Sequence, residues 1–79
     1  MKTLNYQLLL RPEPEGGFTV IVPSLPGCVT YGKDLDEARE MARDAISLYL
    51  DSLEDHGDPI PEDSKSLFTS IELDYAPTA

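Results

Sequence analysis

Residues 16–38 read GGFTVIVPSLPGCVTYGKDLDEA, and within this stretch strand, proline turn, strand and helix start follow without a gap. Phe18-Thr19-Val20-Ile21-Val22 is rich in β-branched and aromatic residues and bounded by Gly16-Gly17 and Pro23, which predicts a strand over about 18–22. A period of two sends Phe18, Val20 and Val22 to one face and Thr19 and Ile21 to the other. Ser24-Leu25-Pro26-Gly27 is turn chemistry, because proline presets φ and glycine accepts a positive φ. Cys28-Val29-Thr30-Tyr31 predicts a short strand over about 28–31, closed by Gly32. Asp34 then stands where a helix N-cap accepts from free backbone N–H groups, and Glu37 can reach back in a capping-box pattern.

Upstream, Tyr6-Gln7-Leu8-Leu9-Leu10 predicts a first strand over about 5–10. The following Arg11–Gly17 segment, with two prolines and two glycines, suits a hairpin loop. Downstream, a helix is expected over about 35–56. Leu35, Ala38, Ala42, Ala45, Ile46, Tyr49 and Leu53 gather on one side at ~100° per residue. Met41, Leu48 and Leu50 widen that arc to roughly 200°, more than the ~100° stripe of a surface helix. One sheet face does not cover such an arc, so part of the flank is expected to meet another subunit. His56-Gly57 is a stop signal, with glycine for a left-handed cap.

Asp58–Lys65 is a loop punctuated by Pro59 and Pro61. Leu67, Thr69, Ile71 and Leu73 then alternate with Phe68, Ser70, Glu72 and Asp74, predicting a half-buried strand over about 66–73 that returns to the sheet. Leu9, Ile21 and Phe68 fall on the minority phase of their strands, and in register they would make a second apolar surface. The expected order is β-β-β-α-β: an α+β domain over 1–79, an antiparallel sheet with one long helix packed on a face.

The chain has 79 residues, near the lower limit for a self-sufficient core, so an oligomer or partner is expected. Hydrophobic content of 41% is too high for a disordered acidic chain. A single cysteine excludes an internal disulfide and four-cysteine zinc sites. No apolar run approaches the ~20 residues of a membrane span. Met1–Leu4 leads into a strand-like segment with no signal-peptide core, so a cytoplasmic location is expected. Fifteen acids against six bases give a formal charge of −9, which argues against direct nucleic-acid binding.

Catalytic chemistry is hard to find. Cys28 follows a Pro-Gly turn with no histidine nearby in sequence and reads as a small buried hydrophobe. His56, the one histidine, reads as helix-terminal. Gly16-Gly17 is a hairpin pair, since neither a helix nor a suitably placed lysine follows as a phosphate loop requires. Tyr31 and Tyr49 read as core or interface residues. No catalytic residue, metal site or cofactor is expected.

The residues Gly16, Gly17, Phe18, Pro23, Leu25, Pro26, Gly27, Cys28, Gly32, Glu37 and Ala38, in this order, resemble the motif of the HicB-like antitoxin family, and the likeness covers roughly residues 6–61. The resemblance implies a partial ribonuclease-H-like fold of the same element order. A ribonuclease-H-like enzyme needs carboxylates converging on Mg²⁺. Glu72 is the only acid inside a predicted strand core, so a catalytically empty version is expected.

The family further implies an antitoxin that binds HicA, a small basic mRNA ribonuclease of a toxin-antitoxin system, and occludes it. Asp51, Glu54, Asp55, Asp58, Glu62 and Asp63 lie between positions 51 and 63 with no base among them. They are either a solvated face or a surface complementary to a basic protein. Charge alone, not the family motif, nominates Asp51, Glu54, Asp55 and Asp58 as partner contacts, with Glu13 and Glu15 as an alternative patch. Many antitoxins of the family continue into a promoter-binding segment, whereas here the chain ends soon after the last predicted strand with no basic helix. The expectation is therefore no promoter binding by this chain alone. Two other readings stand beside the antitoxin: a stand-alone regulatory module forming a homo-oligomer (dimer or tetramer) without a toxin, and a residual ribonuclease-H-like enzyme.

Overall fold

The computed structural model describes residues 3–77. Three strands, β1 (Leu9–Pro12), β2 (Phe18–Ile21) and β3 (Val29–Gly32), form one antiparallel sheet in the order β1-β2-β3. One helix, α1 (Leu35–Asp55), follows and packs on that sheet. The register places Leu9 opposite Ile21 and Ile21 opposite Val29, with Thr19 between Arg11 and Tyr31. The α+β architecture is the one expected.

The face of β2 that meets the helix is the one its period assigned. Val20 is fully buried with Ala38 and Ala42, and Leu8, Leu10 and Phe18 pack around them. Below this, Val22, Leu25 and Cys28 form a second cluster closed by Tyr6, Ala45, Ile46, Tyr49 and Leu50. Leu25 enters this core from the proline turn. The turn is held by the bonds Leu25 N–H to Val22 carbonyl, 3.0 Å, Cys28 N–H to Leu25 carbonyl, 2.9 Å, and Val22 N–H to Cys28 carbonyl, 3.0 Å. Its glycine, Gly27, has φ of 82°. Small side chains at Ala38 and Ala42 let the helix lie close on β2 and β3. Gly32 is buried at the closest approach, where a Cβ would collide with the backbone N and Cα of Ala38.

The helix ends as its sequence requires. The Asp34 carboxylate accepts from Glu37 N–H at 2.8 Å. Glu37 reaches back one residue further than a capping box would place it and accepts from Lys33 N–H at 2.9 Å. At the other end His56 is the C-cap. Gly57, φ 71°, donates to the Glu54 carbonyl at 3.0 Å, and Asp58 N–H to the Leu53 carbonyl at 2.9 Å, which is a Schellman motif. The His56 Nδ1 lies 2.7 Å from the Ser52 carbonyl.

Two expectations need correction. The first ladder runs over Leu9–Pro12, not 5–10. Residues 4–8 lie outside the ladder but keep alternating burial, with Leu4, Tyr6 and Leu8 half-buried. The strand expected over 66–73 does not form, and these residues do not return to the sheet. They carry no regular structure and are exposed, Leu67 at 92% and Ile71 at 90%. Phe68 is accordingly absent from the second apolar surface, which is instead the row Leu9–Ile21–Val29 on the sheet face away from α1.

Candidate partner-binding surface

The six acids singled out as partner contacts fall into two groups that the fold keeps apart. Asp51, Glu54 and Asp55 lie on the last turns of α1, and Asp58 follows its cap; all four are exposed. Glu13 and Glu15 lie in the β1–β2 hairpin loop, where Glu13 is half-buried and its carboxylate accepts from the Thr19 hydroxyl. The helix starts beside Gly32, at the hairpin end of the sheet, where the Tyr31 hydroxyl donates to the Gly16 carbonyl at 2.8 Å. Later in α1 the Tyr49 hydroxyl donates to the Pro26 carbonyl at 2.8 Å, at the opposite end of the sheet. The 21-residue helix is about 31 Å long, so the two acidic groups mark opposite poles of the domain.

The pole at the helix C-terminus is electrostatically unusual. The last turn of α1 contains no base, while the aligned peptide dipoles of a helix already place partial negative charge at its C-terminus. Acids there cost the free protein stability, whereas Asp36 and Glu37 in the first turn are favourably placed. Glu54 and Asp55, in that last turn, therefore gain nothing from the helix dipole.

Asp63 departs from its neighbours in the acidic run. It is buried, with its carboxylate accepting from Gln7 N–H at 2.7 Å and from the Ser24 hydroxyl at 2.7 Å. Hydrogen bonds from Ser66, then Gln7, then Ser24 hold its carboxyl below the usual carboxylate range. Nearby, the Tyr6 hydroxyl donates to the Pro61 carbonyl at 2.5 Å. Together these bonds fasten the loop after α1 to the segment before β1. The sequence reading missed this role, and the only local hint was the placement of Asp63 just after two prolines.

The other residues singled out from sequence have structural surroundings. Cys28 is 5% exposed, and burial pushes its thiol up. Gly17, φ 80°, lies against the Tyr31 ring, leaving no room for a side chain. Gly16, Phe18, Pro23, Leu25, Pro26, Gly27, Gly32, Glu37 and Ala38 build the hairpin, the core turn and the helix start described above. Among the described residues no group of three His, Cys, Asp or Glu side chains could hold a metal ion, and no helix is long and apolar enough to cross a membrane.

The structure thus defines a small α+β domain whose motif residues serve packing and turns, with four exposed acids at and just after the end of its helix. Comparison with known proteins supplies the family. A model described as HicB-like antitoxin of bacterial toxin-antitoxin systems matches residues 6–77, and the chain belongs to that family. A UPF0150 protein of Thermoplasma acidophilum is 36% identical over 66 residues, 84% of this chain and 96% of that one. A UPF0150 protein of Archaeoglobus fulgidus is 42% identical over 48 residues, covering 61% of this chain and 70% of that one. The antitoxin HicB of Escherichia coli K12 is 31% identical over 77 residues, 92% of this chain but 56% of the longer protein.

Proposed function

We propose that this chain is the antitoxin of a toxin-antitoxin pair and that it binds a HicA-type toxin, a small basic mRNA ribonuclease. The family match over residues 6–77 carries this reading, because it spans the whole folded body and not the turn motif alone. In this mechanism the chain performs no catalysis. Its acids at the end of α1 take the place of RNA phosphates on the cationic enzyme and block access to its substrate. Complementary charge would also speed encounter and reject acidic partners. The stability cost of acids at a helix C-terminus supports a role outside folding for Asp51, Glu54 and Asp55. Self-association belongs to the same proposal, since Met41 and Leu48 on the helix flank stay exposed, 41% and 71%, as do Leu9 and Val29 on the open sheet face.

The test is co-expression with any small basic protein encoded beside this chain, followed by an RNA-cleavage assay. A stable complex with cleavage suppressed is expected. A basic neighbour that neither binds nor is inhibited overturns the reading. The second reading, a regulatory module with no toxin, is favoured by one observation: the relatives matched over most of their length carry only the name UPF0150, whereas the chain spans 56% of the Escherichia coli antitoxin.

A further inference from the structure

We propose that the flank of α1 beside the turn into β3 is an anchor site, where Leu48 and the hollow next to it receive an apolar side chain set between basic residues on the toxin. This rests on the antitoxin reading above and adds the part of the contact that charge alone does not provide. Leu48 is 71% exposed, more than Leu35 at 54% or Met41 at 41% on the same helix. Beside it, α1 and the turn into β3 leave a hollow of about 360 Å³ lined by Cys28, Val29, Ala45 and Tyr49 together with Leu48. The floor is fixed in the free chain. Cys28 is buried, and the Tyr49 hydroxyl donates to the Pro26 carbonyl at 2.8 Å. A preformed apolar hollow spares a partner the cost of ordering one.

Charge decides what fits there. At ~100° per residue, Asp44, Leu48, Asp51 and Asp55 fall within roughly 60° of arc, with Asp44 one turn before Leu48 and Asp51 one turn after it. All three acids are exposed. Neither segment that frames the hollow, residues 23–32 or 44–55, contains Lys, Arg or His. The two arginines of α1 stand elsewhere. Arg39 and Arg43 line the groove on the side of residues 4–8, and Arg43 is paired with Glu40 at 2.6 Å. The helix thus keeps its bases off the flank that exposes Leu48.

A second copy of the chain does not suit this flank, because a two-fold contact across Leu48 sets the same three acids against each other with no base between them. A cationic surface carrying an apolar side chain answers both features at once. The side chain enters the hollow, and Lys or Arg on either side of it meets Asp44 and Asp51. Leu48 then belongs to the toxin contact, while Met41 and Leu9 remain for self-association. The two parts of the site act on different rates: acids govern encounter, and the desolvated apolar contact governs lifetime.

The test measures both rates on the full chain with a small basic protein encoded beside it. Leu48→Ser is expected to raise the dissociation rate about ten-fold or more, with the association rate, its salt dependence and the helical circular dichroism unchanged. Leu48→Met, which keeps an apolar anchor, is expected to retain the lifetime. Asp44→Asn with Asp51→Asn is expected to slow association instead. A complex whose lifetime ignores Leu48→Ser overturns the anchor and leaves the antitoxin reading standing. If no such protein binds, the antitoxin reading falls, and NMR titration with the peptide Lys-Lys-Leu-Lys-Lys decides the flank. Shifts at Ala45, Leu48 and Tyr49 that Leu48→Ser removes support the site. Shifts confined to Glu54, Asp55 and Asp58, or none, overturn it.

Discussion

At Gly32 a hydrogen atom decides how close helix and sheet can lie. The residue is buried, and a Cβ would overlap Ala38 N and Cα and come within 2.8 Å of the Glu37 carbonyl carbon. These are backbone atoms at the start of α1, so no side-chain rotation relieves the clash. Gly32→Ala is expected to destabilise the domain by about 1–3 kcal/mol, as overpacking does. Urea denaturation measures this, and an unchanged midpoint would mean the helix can lift from β3 without penalty. Asp63 sets a different residue-level limit, on pH. Its folded pKa is depressed by the bonds from Ser66, Gln7 and Ser24. The stabilisation it gives is therefore present above the unfolded value of about 3.9 and is lost as pH falls through the lower folded value. Protection of the Gln7 amide against hydrogen exchange is expected to hold at neutral pH and to be lost in acid as Asp63 takes up its proton, a transition that Asp63→Asn removes. Fast Gln7 exchange at neutral pH in the wild type would mean that the anchor is not formed.

Among the elements, α1 sets stability against use. Glu54 and Asp55 sit where the helix carbonyls already concentrate negative charge, and no base in the last turn offsets them. Neutralising both, Glu54→Gln with Asp55→Asn, is expected to stabilise the free chain by roughly 0.3–1 kcal/mol and to weaken toxin binding. Thermal melts of the free chain check the first half, and a melting point that does not rise would remove the argument that these acids are retained for a partner. Sequence made this helix legible because its signals are local: Asp34 and Glu37 at one end, His56-Gly57 at the other, alanines facing the sheet. The same holds for β2, β3 and the turn between them, where matched residues lie within a few positions of each other. Asp63 was not legible, because its partner Gln7 lies 56 positions away and the two prolines before it are the only local feature that sets it apart from a solvated acid. Nor was the fate of residues 66–73. Alternation marks a segment able to form a strand, but it does not say that a sheet edge receives it.

For the whole molecule the governing quantity is charge, −9 over 79 residues, and its distribution between two poles. The C-terminal end of α1 carries Asp51, Glu54, Asp55 and Asp58 on exposed positions, and the hairpin end, where α1 starts, carries Glu13, engaged by Thr19, and Glu15 together with Asp34, Asp36, Glu37 and Glu40. If the proposed function holds, a cationic ribonuclease would be steered to these acidic ends before any contact forms, which would raise the association rate and make it fall with ionic strength. Reversing the four acids at the α1 pole to lysine is expected to slow association with the toxin by ten-fold or more at low salt and to flatten its salt dependence, within the 10–10³ range of electrostatic steering. Reversing Glu13 and Glu15 is expected to change both much less. Stopped-flow association at two or more salt concentrations separates the cases. If the hairpin variant loses the salt dependence while the α1 variant keeps it, the toxin docks at the opposite pole, and the acids at the helix end serve solubility instead of recognition.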